Sequence, residues 1–162
     1  MSERAHPILA AEDDESDRMI LKLAFQKADL SRPLVLVRDG QEAVDYLSGT
    51  GRYTDRSTYA LPQLVILDLK MPRMNGFDVL AWLGKQPAFK ELPAVVLSSS
   101  ADESDIAKAR QLGAREYFVK PHGFDKLINI AHEMQTRWLT ATMPDTSVKA
   151  MQASLEIPRS CE

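Results

Sequence analysis

Five short runs of apolar residues punctuate the chain: Ile8 to Ala11, Leu34 to Val37, Leu64 to Leu67, Ala94 to Leu97 and, led by one acid, Glu116 to Val119. Unbroken hydrophobicity over such a run, rather than apolar-polar alternation, is what a strand covered on both faces needs. Between the runs the apolar positions recur at three and four residues, which predicts helices. The first carries Met19, Ile20, Leu23, Ala24 and Lys27 as its stripe and ends near Ala28-Asp29, before Pro33. A second follows Asp39-Gly40, turns Ala43, Val44 and Leu47 inward, and stops at Ser48-Gly49. The third follows Asn75-Gly76 with Phe77, Val79, Leu80 and Leu83, until Gly84 and Pro87 close it. Ser100-Ala101-Asp102-Glu103 has the spacing of a capping box and introduces a fourth, bearing Ile106, Ala109 and Leu112 and stopped by Gly113. Phe124, Leu127, Ile128, Ala131, Met134 and Trp138 mark the fifth as a core-facing helix.

Strand alternating with helix predicts an α/β fold: a doubly wound, five-stranded parallel sheet with five helices and right-handed crossovers. The compact order that puts the first strand at the centre is 2-1-3-4-5, which makes the carboxyl ends of strands one and three neighbours. Ligands gather where the winding direction reverses, so acids that follow those two strands would face one crevice.

A chain of 162 residues suits one domain with some terminal excess. We divide it into an extension over 1–6, the domain over 7–139, and a polar, flexible tail over 140–162 in which Val148, Met151 and Leu155 could form a short docking helix or dimer contact. Residues 48–62, rich in Gly, Thr, Ser and Tyr, read as an exposed loop. Twenty basic against 23 acidic residues leave a net charge of -3, which argues against direct nucleic-acid binding and against an anionic membrane surface. The single cysteine, Cys161, has no internal disulfide partner and fits a reducing compartment. With no apolar stretch near the roughly 18 residues of a membrane span and no signal-peptide core before Pro7, the expectation is a soluble cytoplasmic protein.

The candidate chemistry sits behind the first and third runs, where Glu12-Asp13-Asp14 and Asp68 bring carboxylates together. Crowded carboxylates repel unless a cation or shared protons offset them, so the cluster points to a divalent metal. Asp14 is read instead as the cap of the first helix, where aspartate is favoured. His6, His122 and His132 show no metal-ligand spacing.

In order, the acidic pair Glu12-Asp13, the stretch Asp68-Leu69-Lys70-Met71-Pro72-Arg73-Met74-Asn75-Gly76, the hydroxyl of Ser98, the aromatic Tyr117 and the pair Lys120-Pro121 resemble the receiver domain of two-component response regulators, over about residues 7 to 138. Asp68-Leu69-Lys70-Met71-Pro72, the long loop and the lack of a fused output domain look like the small receivers that partner phytochrome-type histidine kinases. The resemblance implies a flavodoxin-like, CheY-like fold. It implies that Asp68 is the phosphoacceptor, a carboxylate nucleophile toward a phosphohistidine. Mg2+ would be held by Asp13, Asp68 and the backbone carbonyl of Lys70, with Glu12 acting through a metal-bound water. Lys120 would pair with a phosphoryl oxygen, aimed inward by a cis Lys-Pro bond, and Ser98 would donate its hydroxyl. Tyr117 would change rotamer with the switch. Output would be a protein contact over the fourth helix, fifth strand and fifth helix, near Lys108, Arg115 and Glu116, with homodimerisation there or through the tail. The chain would be a phosphoacceptor signalling protein rather than a turnover enzyme. A haloacid dehalogenase-like phosphatase is disfavoured because Lys70 stands where its second aspartate is needed. A flavin module is disfavoured because Glu12-Asp13-Asp14 occupies the phosphate-binding loop.

Overall fold

The computed structural model describes residues 6–30 and 32–139. The proposed extension over 1–6, apart from His6, and the proposed tail helix at Val148, Met151 and Leu155 lie outside the described residues. The elements alternate as expected: β1 Ile8–Ala11, α1 Glu15–Lys27, β2 Leu34–Val37, α2 Gly40–Ser48, β3 Leu64–Leu67, α3 Gly76–Gly84, β4 Ala94–Ser98, α4 Glu103–Gln111, β5 Glu116–Val119 and α5 Phe124–Trp138. All strands are parallel and the sheet order is β2-β1-β3-β4-β5.

Alternate residues of each run point to opposite faces, and this splits the core in two. Leu9, Ala11, Val65, Leu67 and Val96 pack under α2, α3 and α4. Ile8, Ala10, Ile66, Val95 and Leu97 pack under α1 and α5. Both faces of the central strands are therefore dry, which is why their sequences show no polar alternation.

The starts of α1, α2 and α3 are set by side-chain caps at the sheet's carboxyl edge. Asp14 accepts from Asp17 N at 2.9 Å at the head of α1, as expected, and Asp39 accepts from Glu42 N at 2.8 Å at the head of α2. Asn75 and Asp78 form a reciprocal capping box that starts α3 directly behind Asp68.

Several expectations need correction. On α1 the buried residues are Leu21, Ala24, Phe25 and Ala28, whereas Met19, Ile20 and Leu23 face solvent with 55%, 43% and 46% exposure. The capping box expected at Ser100 is displaced: Asp102 is the N-cap of α4, while Ser100 Oγ accepts from Asp102 N at 3.2 Å and donates to Asp105 Oδ2 at 2.6 Å. On α5, Leu127, Ala131 and Met134 are buried but Phe124 is 41% exposed. The stretch 48–62 is not a plain exposed loop. Tyr46, Tyr53 and Tyr59 meet in tilted and edge-to-face contacts with ring centroids 4.9 to 6.0 Å apart, and Arg56 donates to the carbonyls of Tyr46, Leu47 and Tyr59. No described peptide bond is cis, so Lys120 reaches the crevice across a trans bond to Pro121.

Candidate functional site

Two of the connections at the carboxyl edge of the sheet carry the acids. β1 ends at Ala11 and β3 at Leu67, and these residues are register partners in neighbouring strands, so the acids that follow emerge side by side. One oxygen each of Glu12, Asp13 and Asp68 lies within 4.8 Å of the others. Glu12 and Asp68 are buried at 5% and 7% exposure, and Asp13 stands at the solvent mouth.

Lys120 closes the cluster from β5. Its Nζ donates to Glu12 Oε1 at 2.6 Å, to Asp17 Oδ2 at 2.9 Å and to Asp68 Oδ2 at 3.0 Å, so three carboxylates occupy the three donors of one ammonium. Burial works to lower the Lys120 pKa, but the bonds to Glu12 and Asp17 and the charge of Asp68 outweigh it, and the amine is held above its ordinary value. For Glu12, burial is the largest influence and raises the pKa; Asp68 adds to it, Lys120 and the Asp14 N–H oppose it, and the carboxyl settles at about 7. Both shifts have one origin: more carboxylate than one cation can neutralise in a poorly solvated crevice.

Ser98 ends β4 and is fully buried. Its Oγ accepts from Ser100 N at 3.2 Å, and its carbonyl accepts from Lys120 N at 2.8 Å, which fixes β4 and β5 together at the crevice. Lys70 is exposed, and its main-chain N–H lies 3.4 Å from Asp68 Oδ1. Tyr117 is buried at 7% exposure, with its hydroxyl donating to the Ser100 carbonyl at 2.8 Å. An open cavity of about 480 Å³ adjoins the cluster, lined by Asp13, Lys70, Met71, Asn75, Phe77 and Asp105. His6 Nδ1 bonds the Leu61 carbonyl at 3.0 Å, and His122 and His132 are exposed, so none joins the crevice.

Reading from sequence missed two participants. Asp17 binds Lys120 from the first turn of α1, and Arg18 Nη1 ties down the Glu12 carbonyl at 2.8 Å. Both lie on the turn of α1 that follows the acidic knot, at the three-to-four-residue spacing that returns a side chain to the helix start; that spacing was the available signal. The donor set suits a hard divalent cation: oxygen ligands only, converging on an open side. Among the described residues no helix is long and apolar enough to cross a membrane.

Comparison with known proteins agrees with this geometry. Response regulator Rcp1 of Synechocystis sp. is 30% identical over 148 residues, which covers 89% of this chain and 99% of Rcp1. The crystal structure of the Mn(2+)-bound form of Rcp1 matches with a TM-score of 0.74 at 28% identity, over 85% of this chain and 97% of that one. A response regulator in red light signaling of R. palustris matches with a TM-score of 0.79 at 31% identity, covering 85% of this chain and 96% of that chain. The phosphorylated cyanobacterial phytochrome response regulator RcpA gives 0.76 at 34% identity, with 86% and 99% covered. Residues 8–132 match the response regulator receiver domain, and on that match, with this fold beneath it, the chain belongs to the receiver-domain response regulators of two-component signalling.

Proposed function

We propose that Asp68 is the phosphoacceptor of this receiver and that a sensor histidine kinase is the donor. In the step itself a carboxylate oxygen of Asp68 attacks the phosphorus of a phosphohistidine, the P–N bond breaks, and the imidazole nitrogen leaves with the bonding pair, giving an acyl phosphate on Asp68. The observation that carries this reading is the single ammonium of Lys120 spanning Glu12 and Asp68 at 2.6 and 3.0 Å, with the Asp13 carboxylate within reach of both acids.

Each residue has work that its position supports. Lys120 stays charged at any physiological pH and can follow one phosphoryl oxygen without leaving Glu12. Ser98, whose Oγ accepts from the Ser100 N–H and keeps its own hydrogen to donate, is the donor nearest the end of β4. Glu12, Asp13, Asp68 and the Lys70 main chain are the groups that would hold Mg2+. Magnesium, when bound, supplies charge neutralisation for the transferred oxygens. Turnover chemistry on small substrates is not part of this reading; the chain is a signalling protein whose only reactions are accepting and losing its own phosphoryl group.

Likeness to regulators of red light signaling and of a cyanobacterial phytochrome supports a phytochrome-type kinase as partner. Output is read as a contact with a downstream protein, or as a homodimer, in the cytoplasm, without direct nucleic-acid or membrane binding. Lys108 and Arg115 are exposed on the α4–β5 surface, with Lys108 Nζ 4.4 Å above the Phe77 ring, while Glu116 is half-buried and bonded to Arg110 at 3.2 Å.

The test is incubation of the full chain with acetyl phosphate and Mg2+, and separately with candidate phosphorylated kinases, followed by intact mass measurement. Wild type should gain one phosphoryl mass and Asp68→Asn none. Wild type that stays unmodified with every small donor and kinase would sink the proposal.

A further inference from the structure

The segment that follows Asp68 reaches α3 in seven residues, and it forms one wall of the acidic crevice: Lys70, Met71 and Asn75 line the cavity opposite Asp13. Loops of this kind are set by what their backbone is tied to. Here the ties run to the head of α2. Gly40 N donates to the Met74 carbonyl at 2.9 Å, in a contact so close that a Cβ on Gly40 would lie 2.2 Å from that oxygen. Beside it, Arg73 Nε and Nη2 reach Asp39 Oδ2 and Oδ1 at 2.9 and 3.1 Å, a two-point pair with a carboxylate that is only 7% exposed. Asp39 is simultaneously the cap of α2 through Glu42 N. Burial works against its charge, but Arg73 and the Glu42 N–H more than offset this, and the carboxyl lies below its usual range.

Arg73 is also a non-glycine residue with φ of +64°. A side chain is disfavoured there, and such a conformation persists when surrounding contacts over-determine it. An arginine on an open surface would contribute little through one ion pair. A planar fork on a fixed, buried acid differs because it dictates both distance and direction.

We propose that Arg73 is a positioning residue: by clasping Asp39 it holds the β3–α3 loop as a fixed wall of the crevice, and thereby sets how well the acidic cluster binds its divalent cation. The proposal rests on the phosphoacceptor reading of that cluster for its consequence, but the clasp itself does not.

Three variants separate the possibilities. Arg73→Ala removes the fork and leaves a disfavoured backbone; Arg73→Gly removes the fork and relieves the backbone; Arg73→Lys keeps the charge without the fork. Hydrogen exchange of the full-length chain, without metal, would be followed over residues 69–75, alongside urea unfolding and a titration with MgCl2 read by isothermal calorimetry. In all three variants, loop exchange is expected to quicken about ten-fold and the Mg2+ midpoint to rise by about three- to ten-fold, as for loss of a charge-assisted pair. The global urea midpoint should move little, because Arg73 is itself exposed. Unchanged loop exchange in Arg73→Ala would overturn the proposal, as would wild-type exchange and Mg2+ affinity in Arg73→Gly, which would assign the loop's shape to backbone conformation alone. A fall in Mg2+ affinity that merely tracks global stability would overturn it too. If wild type accepts no phosphoryl group, the functional reading fails, while metal-free exchange still decides whether the clasp holds the loop.

Discussion

Glu12 is held in a carboxyl-rich crevice where burial, with the charge of Asp68 added, opposes ionisation more than Lys120 and the Asp14 N–H favour it, and a stability consequence follows. Its folded pKa is about 7 against an ordinary 4.5. Between those values the folded protein keeps a proton that the unfolded chain has released, so stability is full below about 4.5 and declines as pH rises to about 7 in metal-free protein. The loss has an upper bound of about 3 kcal/mol. Lys120 does not blur this window: its raised pKa gives stabilisation that is intact below 10.5 and is lost only above that value. Urea midpoints measured in chelator from pH 4.5 to pH 8 should therefore fall for wild type and stay nearly level for Glu12→Gln, which cannot ionise. Equal slopes in the two proteins would contradict the assignment. At this scale Glu12, Asp13, Asp68, Ser98 and Lys120 were readable because each stands at or just past the end of an apolar run, and strand ends meet at one edge. Asp17 was not. It is 103 positions from Lys120; helical spacing returns it to the start of α1, but that its carboxylate shares the same ammonium follows from the packing of α1 against α5, the helix that comes after Lys120.

Among the elements, the strands were legible and the buried face of the first helix was not, for one physical reason. A strand buried on both faces leaves a sequence with no choice of face, so Ile8–Ala11 and Leu64–Leu67 are unambiguous. α1 offers two apolar stripes. Met19, Ile20 and Leu23 make one; Leu21, Ala24, Phe25 and Ala28 make another at equally good helical spacing. Periodicity cannot choose between them, and packing on β1 and α5 does. The two sets should respond oppositely to substitution. Leu21→Ala, at 5% exposure, is expected to cost about 2–5 kcal/mol by leaving a cavity, whereas Leu23→Ser, at 46%, should stay within about 0.5 kcal/mol. Chemical denaturation with unchanged m-values would measure both, and comparable losses would show that the outer stripe is covered in solution. The stretch 48–62 escaped sequence reading for a related reason: its tyrosines and Arg56 acquire meaning only when Tyr46 on α2 supplies the third ring and the helix end supplies carbonyls.

Across the whole molecule, the acidic crevice is joined to the α4 surface by consecutive hydrogen bonds. Lys120 N binds the Ser98 carbonyl, Ser98 Oγ takes the Ser100 N–H, the Tyr117 hydroxyl holds the Ser100 carbonyl, and Ser100 Oγ reaches Asp105 in the first turn of α4. Ser98 Oγ accepts from the Ser100 N–H and keeps its own hydrogen to donate; if donation to a phosphoryl oxygen draws Oγ toward the crevice, the β4–α4 connection either follows it or loses that tie, and in both cases the Tyr117 bond to the Ser100 carbonyl is strained. That bond then favours the unmodified arrangement over the modified one, and a ligand that selects the modified arrangement must overcome it. Tyr117→Phe removes the hydroxyl while keeping the ring against the core. A neutral hydrogen bond contributes about 1 kcal/mol net, so the variant should unfold at slightly lower urea and should bind beryllium fluoride with Mg2+, a mimic of the phosphoryl group, about five-fold more tightly than wild type. Calorimetric titration measures the affinity, and hydrogen exchange at residues 100–106 in the free protein should rise in the same variant. Tighter binding with looser α4 exchange would identify the hydroxyl as a brake on switching. Unchanged affinity with the same loss of stability would mean that the bond survives in both arrangements, and that the signal leaves the crevice by another route, through Lys120 and α5.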